Sequence, residues 1–230
     1  MPRPPRKCVE NVAYHVMNRC VEGRLLYEKP SDYFAFEQVL VQAKERYPAL
    51  RICAYCLMPN HFHLVAWPRE DDALSPFMQW LCTTHTQRRH AHRDSTGRGH
   101  LYQSRFKSFP IEQDHHFLSV CRYVERNALR AGLQWPPDEP AMRAENWPWS
   151  SLAARADPAR ERFCDAWPVE MPGNWVEIVN RAEGDEELDA IRKCTSRGRP
   201  YGNESWAMST AADLGILSTV RGTGRPRKPA

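Results

Sequence analysis

The sequence predicts an α+β domain built on one antiparallel sheet, and three observations lead to this prediction. Short apolar runs of strand length alternate with longer segments whose apolar residues recur every three or four positions. Their order is strand, helix, strand, strand, helix, strand, followed by an extra helix. The second and third strands are joined by a tight Pro59-Asn60 turn, which makes them antiparallel neighbours. A chain of 230 residues can hold one such domain with appended segments.

The first half of this pattern runs from the first strand to the hairpin. We predict a strand over residues 12–21, VAYHVMNRCV. Ser31 and Asp32 then open a helix. Its apolar positions recur at helical spacing, and they are Tyr33, Phe36, Leu40, Ala43 and Tyr47. The runs LRICAYCLM and HFHLVAW follow as the two strands of the hairpin.

The second half supplies another helix, the fourth strand and the extra helix. Ser75 is a plausible N-cap with Pro76 at the first helical position, and the apolar spacing continues to His85. A basic stretch with Gly97 and Gly99 is predicted as a loop leading into the strand LYQSRFKSFPI. Asp114 caps the extra helix, which ends near Gly132 and has one apolar face formed by Phe117, Val120, Cys121 and Val124. This order is that of a ferredoxin-like split βαβ fold, in which one sheet face can present a site.

The C-terminal third follows a different pattern. Residues 134–150, QWPPDEPAMRAENWPWS, are too rich in Pro and Trp for a regular element, and we predict that they wrap the domain. A weaker helical pattern follows, with RGRPYG (197–202) and GRPRK (224–228) on either side of a short helical stretch. We therefore divide the chain into a domain over 1–155 and a small helical, basic C-terminal extension over 156–230.

Positive charge is unevenly distributed, although the net charge is only +4. Residues 85–107 contain six Arg or Lys residues and four histidines but only one acidic residue, Asp94. Both ends of the sequence are also basic, as MPRPPRK and VRGTGRPRKPA show. Local basic patches of this kind favour a polyanionic partner, nucleic acid first, although solvated surface arginines would give the same composition.

Membrane insertion and secretion are not indicated. No apolar run approaches 18 residues, and no apolar segment follows the charged N-terminus, so we expect neither a membrane span nor a secretory signal. Four of the eight cysteines, Cys53, Cys56, Cys82 and Cys121, fall in apolar periodic runs and are predicted as small core residues. The lone C-x-x-C of Cys53 and Cys56 has no second pair at zinc-ribbon spacing, so we expect a reduced, cytoplasmic protein.

The candidate chemistry lies in MPNHFHLVAW, where His61 and His63 are two residues apart. On a strand such residues project from the same face, which suits two ligands of one metal ion. On the extra helix, Tyr123 and Asn127 stand at i and i+4, apart from the Val120–Val124 stripe. A helix lying across the sheet could bring the Asn127 oxygen to the metal and the Tyr123 hydroxyl to its substrate. On spacing alone, an interfacial Tyr123 and a solvent-facing Asn127 are the stronger reading.

Three motifs together resemble a known family. PNHFHLV, LYQSRFKSF and RYVERNALRAGL, in this order, closely resemble the REP-associated tyrosine transposases of the single-tyrosine HUH nuclease superfamily. The resemblance spans about residues 8–155 and includes NWPWSSL. It implies that His61 and His63 bind a divalent ion, that Tyr123 is the nucleophile, and that Asn127 is a further ligand. Ala128 replaces a proline common in the family, which leaves these four residues intact.

The resemblance implies an enzyme that nicks and rejoins DNA. It would act on single-stranded or hairpin DNA of palindromic, REP type through a 5′-phosphotyrosine, with Mg²⁺ or Mn²⁺ as cofactor. The residues we predict to contact DNA are basic or aromatic, namely Arg88, Arg89, Arg93, Arg98, Tyr102, Arg105, Lys107, Arg225, Arg227 and Lys228. Tyr102 could equally be a core residue, and the GRPRK tail could equally be solvated and nonspecific.

Two other functions stay open at this point. A DNA-binding regulator that has lost catalysis could use the same fold, although the intact His61, His63, Tyr123 and Asn127 argue against it. A replication initiator nuclease of the same superfamily is the second alternative. The sequence does not distinguish a monomer from a homodimer.

Overall fold

A computed structural model describes residues 7–93, 99–133, 135–136, 142–157, 159 and 163–221. The strands in these ranges are β1 (Ala13–Arg19), β2 (Leu50–Met58), β3 (His61–Pro68) and β4 (Lys107–Ile111). The helices are α1 (Pro30–Arg46), α2 (Leu74–His92), α3 (His115–Glu125), α4 (Asn127–Arg130), α5 (Ser151–Ala156), α6 (Trp175–Asn180), α7 (Asp185–Arg197) and α8 (Glu204–Asp213). Short 3-10 turns lie at Val21–Gly23, Ala144–Asn146 and Leu217–Thr219.

The four strands form one sheet in the order β2-β3-β1-β4, and every neighbouring pair is antiparallel. With α1 between β1 and β2 and α2 between β3 and β4, this confirms the predicted ferredoxin-like α+β architecture. The register of β1 and β3 places Met17 opposite His63 and Arg19 opposite His61. Because directly opposed residues point to the same face, this register sets the neighbours of the two histidines.

The two faces of the sheet are covered differently. On one face Phe62 packs against Phe36 of α1, with ring centroids 5.0 Å apart, and Asn18 reaches Cys82 of α2. On the other face α3 lies across the strands, where the Tyr123 ring comes to 5.9 Å from the His63 ring. We call this second surface the histidine face. α1 and α2 thus pack on the face opposite the histidine face, and α3 brings its own side chains to the histidines.

Several element boundaries differ from the prediction. α1 begins at Pro30, because proline is well suited to the first helical position. α2 begins at Leu74 after Ala73, so Ser75 is not the N-cap. α2 also continues to His92 through a basic stretch without Gly or Pro, so Arg88 and Arg89 are helical and not part of a loop.

The fourth strand and the extra helix are shorter than predicted. β4 begins only at Lys107, because residues 103–105 are polar and exposed and give neither face a side chain to bury. The predicted N-cap of the extra helix is confirmed, since the Asp114 carboxylate accepts a hydrogen bond from the His116 amide at 2.7 Å. The helix is interrupted at Arg126, where α3 ends and α4 begins, and the chain turns at Gly132 with φ of +69°.

Segments from the C-terminal third cover both edges of the sheet. At β2 the Leu57 amide donates to the Trp149 carbonyl, at 2.9 Å. At β4 the Glu112 amide donates to the Tyr201 carbonyl, also at 2.9 Å. Covering an edge in this way hinders pairing with strands from other molecules. Of the segment predicted to wrap the domain, residues 134 and 137–141 lie outside the described residues, while Trp147 and Trp149 bond to Leu57 at the β2 edge. The division at residue 155 stays a prediction, since chain from both sides of it completes the sheet.

Three of the four cysteines predicted as core residues are buried. Cys53, Cys56 and Cys121 are fully buried, as predicted, while Cys82 is only partly buried. Burial raises the pKa of the Cys56 and Cys82 thiols to about 12, which keeps them protonated and unreactive. In the described ranges no helix is both long and apolar enough to cross a membrane.

A buried carboxylate anchors α3. Glu125 is fully buried and accepts hydrogen bonds from three sides. The Trp175 indole donates at 2.6 Å, the Arg155 guanidinium donates at 2.9 Å, and the Ser151 hydroxyl also donates. A carboxylate buried in this way is stable only when such partners satisfy its oxygens. Glu125 therefore ties α5 and α6 to the helix that carries Tyr123.

We expect Glu125→Gln to destabilise the fold by about 3 kcal/mol, because it leaves the Arg155 charge buried without its counter-ion. Urea unfolding followed by circular dichroism measures the loss. Glu22→Gln is the matched control, because Glu22 pairs with Arg24 at the surface, at 3.9 Å, and its loss should change stability little. Equal midpoints for the two variants would contradict the proposed role of Glu125.

Candidate active site on the histidine face

His61 and His63 project together from the start of β3. The strand begins directly after the Pro59-Asn60 turn, and alternation along it turns both imidazoles towards α3. Their ring centroids are 4.9 Å apart, with the planes nearly perpendicular. His63 is buried and His61 is half-buried. This is the shared face that the H-x-H spacing predicts.

Both imidazoles are oriented through Nδ1. The His61 Nδ1 lies 2.6 Å from the Asn60 side-chain oxygen, and because an amide oxygen only accepts, the proton is on Nδ1. The His63 Nδ1 lies 2.8 Å from the Nε2 of His15, on β1. Among the described residues neither Nε2 atom has a hydrogen-bond partner. Metal-binding histidines characteristically have one ring nitrogen held in this way and the other directed to the ion.

Burial keeps these imidazoles neutral. It lowers the pKa of His15 to about 3, and together with the nearby Arg19 charge it lowers the pKa of His61 to about 4. The pKa of His63 is also well below its usual value, first through burial and then through the charges of its neighbours, Arg130 among them. Neutral imidazoles at physiological pH have a lone pair to offer a cation.

Tyr123 lies beside the two inner histidines. Its side chain is mostly buried, and its ring centroid is 5.9 Å from that of His63 and 6.1 Å from that of His15. The Arg130 guanidinium covers the ring from the α4 side, 4.3 Å from its centroid. Tyrosine and histidines come from one chain, so a single copy brings them together.

Asn127 is the first residue of α4 and only 9% exposed, so the solvent-facing alternative is wrong. Its side-chain oxygen accepts a hydrogen bond from Arg130 Nη2 at 3.3 Å. Its Nδ2 is buried and has no hydrogen-bond partner among the described residues. An N–H donor cannot bind a cation, so a ligand role for Asn127 would depend on its side-chain oxygen, which can accept a second interaction besides that with Arg130.

A second group of potential metal ligands lies at the start of α3. Ligand atoms of Asp114, His115 and His116 are all within 4.8 Å of one another. The Asp114 carboxylate already caps the helix, and it also lies 2.8 Å from the His116 ring nitrogen. His115 is eight residues before Tyr123, about 12 Å along a helix axis, so the group is separate from the histidine face.

The predicted DNA-contacting arginines on α2 and directly after it lie on the opposite side of the sheet from the histidines, and they are engaged in other contacts. Arg88 donates to Gln42 at 2.7 Å, and Arg89 donates to the Leu25 carbonyl at 2.9 Å. Arg93 forms ion pairs with Glu28 and Asp32. The structure does not bring these three side chains to the histidines.

The other predicted contacts have different surroundings. The Tyr102 hydroxyl lies 2.6 Å from the His85 ring nitrogen on the α2 side of the sheet. Burial raises the pKa of Tyr102 well above its usual value. Arg105 and Lys107 are exposed, and Lys107 is opposite Met17 on the histidine face. The remaining predicted contacts, Arg98, Arg225, Arg227 and Lys228, lie outside the described residues.

Two residues of the site were missed in the sequence. His15 orients His63, and Arg19 is exposed next to His61, with its guanidinium bonded to Gln103. A histidine between Tyr14 and Val16 in an apolar strand was the available signal for His15. Alternation along β1 places His15 and Arg19 on the same face of the strand as Met17. Only the pairing register of β1 with β3 shows that His61 and His63 project from this same face of the sheet.

Residues 8–127, more than half of the chain, match the family model described as "Transposase IS200 like". The chain belongs to the IS200-like transposase family. The structure is similar to that of a REP-associated tyrosine transposase bound to a REP hairpin, with a TM-score of 0.52 and 17% identity. The match covers 80% of this chain and all of the other, and at this identity it shows the fold alone. No curated protein sequence matches the chain.

We expect His15→Phe to weaken Mn²⁺ binding about tenfold or more, because His63 loses the partner that orients its ring. Phenylalanine should pack against Phe109, whose ring centroid is 4.8 Å from that of His15. Titration of Mn²⁺ by electron paramagnetic resonance, without DNA, measures the affinity. His85→Phe removes a buried histidine from the other side of the sheet and serves as the control. Wild-type affinity in His15→Phe would show that this contact does not orient a ligand.

Proposed function

We propose that this family member is a divalent-metal-dependent endonuclease and strand transferase that acts on single-stranded hairpin DNA through a phosphotyrosine on Tyr123. The observation that supports this most is the placement of the Tyr123 ring 5.9 Å from His63, beside a pair of oriented, neutral imidazoles. A transposase must break and rejoin DNA strands, and a tyrosine next to a metal site is suited to that reaction.

Three side chains would hold the ion. They are His61 and His63 through Nε2 and Asn127 through its side-chain oxygen, a mixed nitrogen and oxygen set that suits Mn²⁺ or Mg²⁺ with positions left for phosphate. When bound, the ion supplies charge neutralisation at a non-bridging phosphate oxygen. Arg19, exposed beside His61, would add a second positive charge near that phosphate.

Tyr123 would carry out the displacement. Its hydroxyl oxygen would bond to phosphorus and lose its proton to solvent, while the bond from phosphorus to the 3′ oxygen breaks and that oxygen takes up a proton from solvent to leave as a hydroxyl. The DNA is then held on Tyr123 through its 5′ phosphate. Because a phosphodiester replaces a phosphodiester, another 3′-hydroxyl can reverse the step without ATP.

We further propose hairpin DNA as the substrate. The structurally similar transposase is bound to a REP hairpin, and a folded strand would present its backbone to the exposed Arg19, Arg105 and Lys107. Since one chain contributes Tyr123 and both histidines, a monomer would suffice for cleavage.

Tyr123→Phe should abolish both cleavage and the covalent adduct while hairpin affinity stays within about twofold, because backbone contacts supply most affinity. The substitution preserves ring volume and removes only the hydroxyl. A hairpin labelled downstream of the cut, analysed on denaturing gels, reports the adduct. Tyr102→Phe is the control and should still form it. Persistence of a labelled protein band in Tyr123→Phe would refute the mechanism.

The metal site has its own test. His61→Ala should abolish cleavage in Mg²⁺ or Mn²⁺ and reduce Mn²⁺ binding, because two of three protein ligands cannot fix the ion. His115→Ala disrupts the exposed group at the start of α3 and should leave cleavage intact. Loss of cleavage in His115→Ala with retention in His61→Ala would place the ion at Asp114 and its neighbours instead.

A further inference from the structure

Three arginines spaced four residues apart, Arg122 on α3, Arg126 between the helices and Arg130 on α4, bind one segment of the C-terminal extension. Arg122 Nη2 donates to two carbonyls at 3.0 and 2.7 Å, and Arg126 Nη1 donates to two more at 2.9 and 2.7 Å. The carbonyls belong to Val179 and Asn180, the last two residues of α6, and to Arg181 and Ala182, which follow it. We call residues 179–183 the arginine-bound loop. The arginines satisfy carbonyls at the C-terminal end of α6 that have no partner within the helix. They also fix this loop against the helix that carries Tyr123.

The loop ends in a buried carboxylate. The Glu183 side chain is only 2% exposed, and its Oε2 lies 2.6 Å from Arg130 Nη1 and 3.5 Å from Arg126 Nε. A carboxylate removed from water is tolerated only beside such opposite charge. Arg130 is therefore held on one side by the extension.

The other side of Arg130 contacts the active site. Its Nη2 donates to the Tyr123 carbonyl at 3.0 Å and to the Asn127 side-chain oxygen at 3.3 Å. Its guanidinium also covers the Tyr123 ring at 4.3 Å. One rigid, planar fork thus reaches the backbone and ring of the tyrosine together with the neighbouring amide, which a lysine cannot do.

We propose that Arg130 is a positioning residue for Tyr123 and Asn127, and that Glu183 of the C-terminal extension holds Arg130 in that position. This inference rests on the proposed function, in which Tyr123 is the nucleophile. In-line attack needs the tyrosine oxygen aligned with the phosphate, and a misplacement of about 1 Å can slow a reaction about 100-fold. The extension would therefore be required for catalysis as well as for covering the sheet edge.

The test uses two substitutions in the full chain. Arg130→Lys keeps the charge and loses the fork, and Glu183→Gln keeps the side-chain volume and loses the charge that holds Arg130. Glu187→Gln is the matched control, since Glu187 is on the same extension and pairs loosely with Arg122, at 3.8 Å. Thermal melts establish that each variant folds. If Glu183→Gln does not fold, Arg130→Lys decides the proposal.

Two readouts separate positioning from general stability. The first is the rate of covalent adduct formation at saturating hairpin, compared with hairpin affinity. The second is the ring signal of Tyr123 in protein labelled with ¹³C-tyrosine, recorded without DNA or metal and assigned with Tyr123→Phe. We expect the adduct rate to fall about 10- to 100-fold in Arg130→Lys and Glu183→Gln, with the Tyr123 signal shifted. Hairpin affinity should stay within about twofold, because backbone contacts provide it.

Each other outcome overturns the proposal. Wild-type adduct rates in Arg130→Lys would overturn it, whether or not the Tyr123 signal moves, and so would an equal loss of rate in Glu187→Gln. If Tyr123→Phe is inactive in the same experiment, the proposed function survives such a result. If Tyr123→Phe still forms the adduct, both the proposed function and the role of Arg130 fail.

Discussion

The buried carboxylate of Glu125 is the constraint on which the geometry of the site depends. It lies two residues after Tyr123 and is bonded to Ser151, Arg155 and Trp175, so α3 cannot rotate without leaving charge unpaired in the interior. The position of Glu125 also decides which side of α3 faces the sheet. Because the side of α3 that carries Glu125 is fixed towards α5 and α6, the Tyr123 ring lies next to His63.

The orientation of the two imidazoles on the histidine face depends on local hydrogen bonds. Strand alternation aligns His61 with His63, and their proposed role as ligands would depend on the hydrogen bonds to Asn60 and His15 that leave each Nε2 free. Burial keeps the rings neutral, and the charges of Arg19 and Arg130 act in the same direction. The same charges that disfavour an imidazolium would favour the approach of a phosphate.

Local patterns predicted the sheet, the main helices and the shared face of His61 and His63, because periodicity and turn residues are written in short segments. They failed where the outcome depended on contacts distant in sequence. Arg89 and Arg93 look like DNA ligands in a basic run, yet they bond to the Leu25 carbonyl, Glu28 and Asp32 more than 60 residues away. The roles of His15 and Glu183 were missed for the same reason, since only the fold brings these side chains to His63 and Arg130.

The central claim is that Tyr123 becomes covalently attached to DNA, and peptide mapping of the wild-type adduct tests it most directly. Trypsin cleavage after Arg122 and Arg126 isolates Tyr123–Arg126, whereas cleavage after Arg98 and Arg105 isolates the peptide 99–105 with Tyr102. After nuclease trimming of the DNA, mass spectrometry should find the nucleotide mass on Tyr123–Arg126. The same mass on peptide 99–105, or on any peptide without Tyr123, would contradict the account.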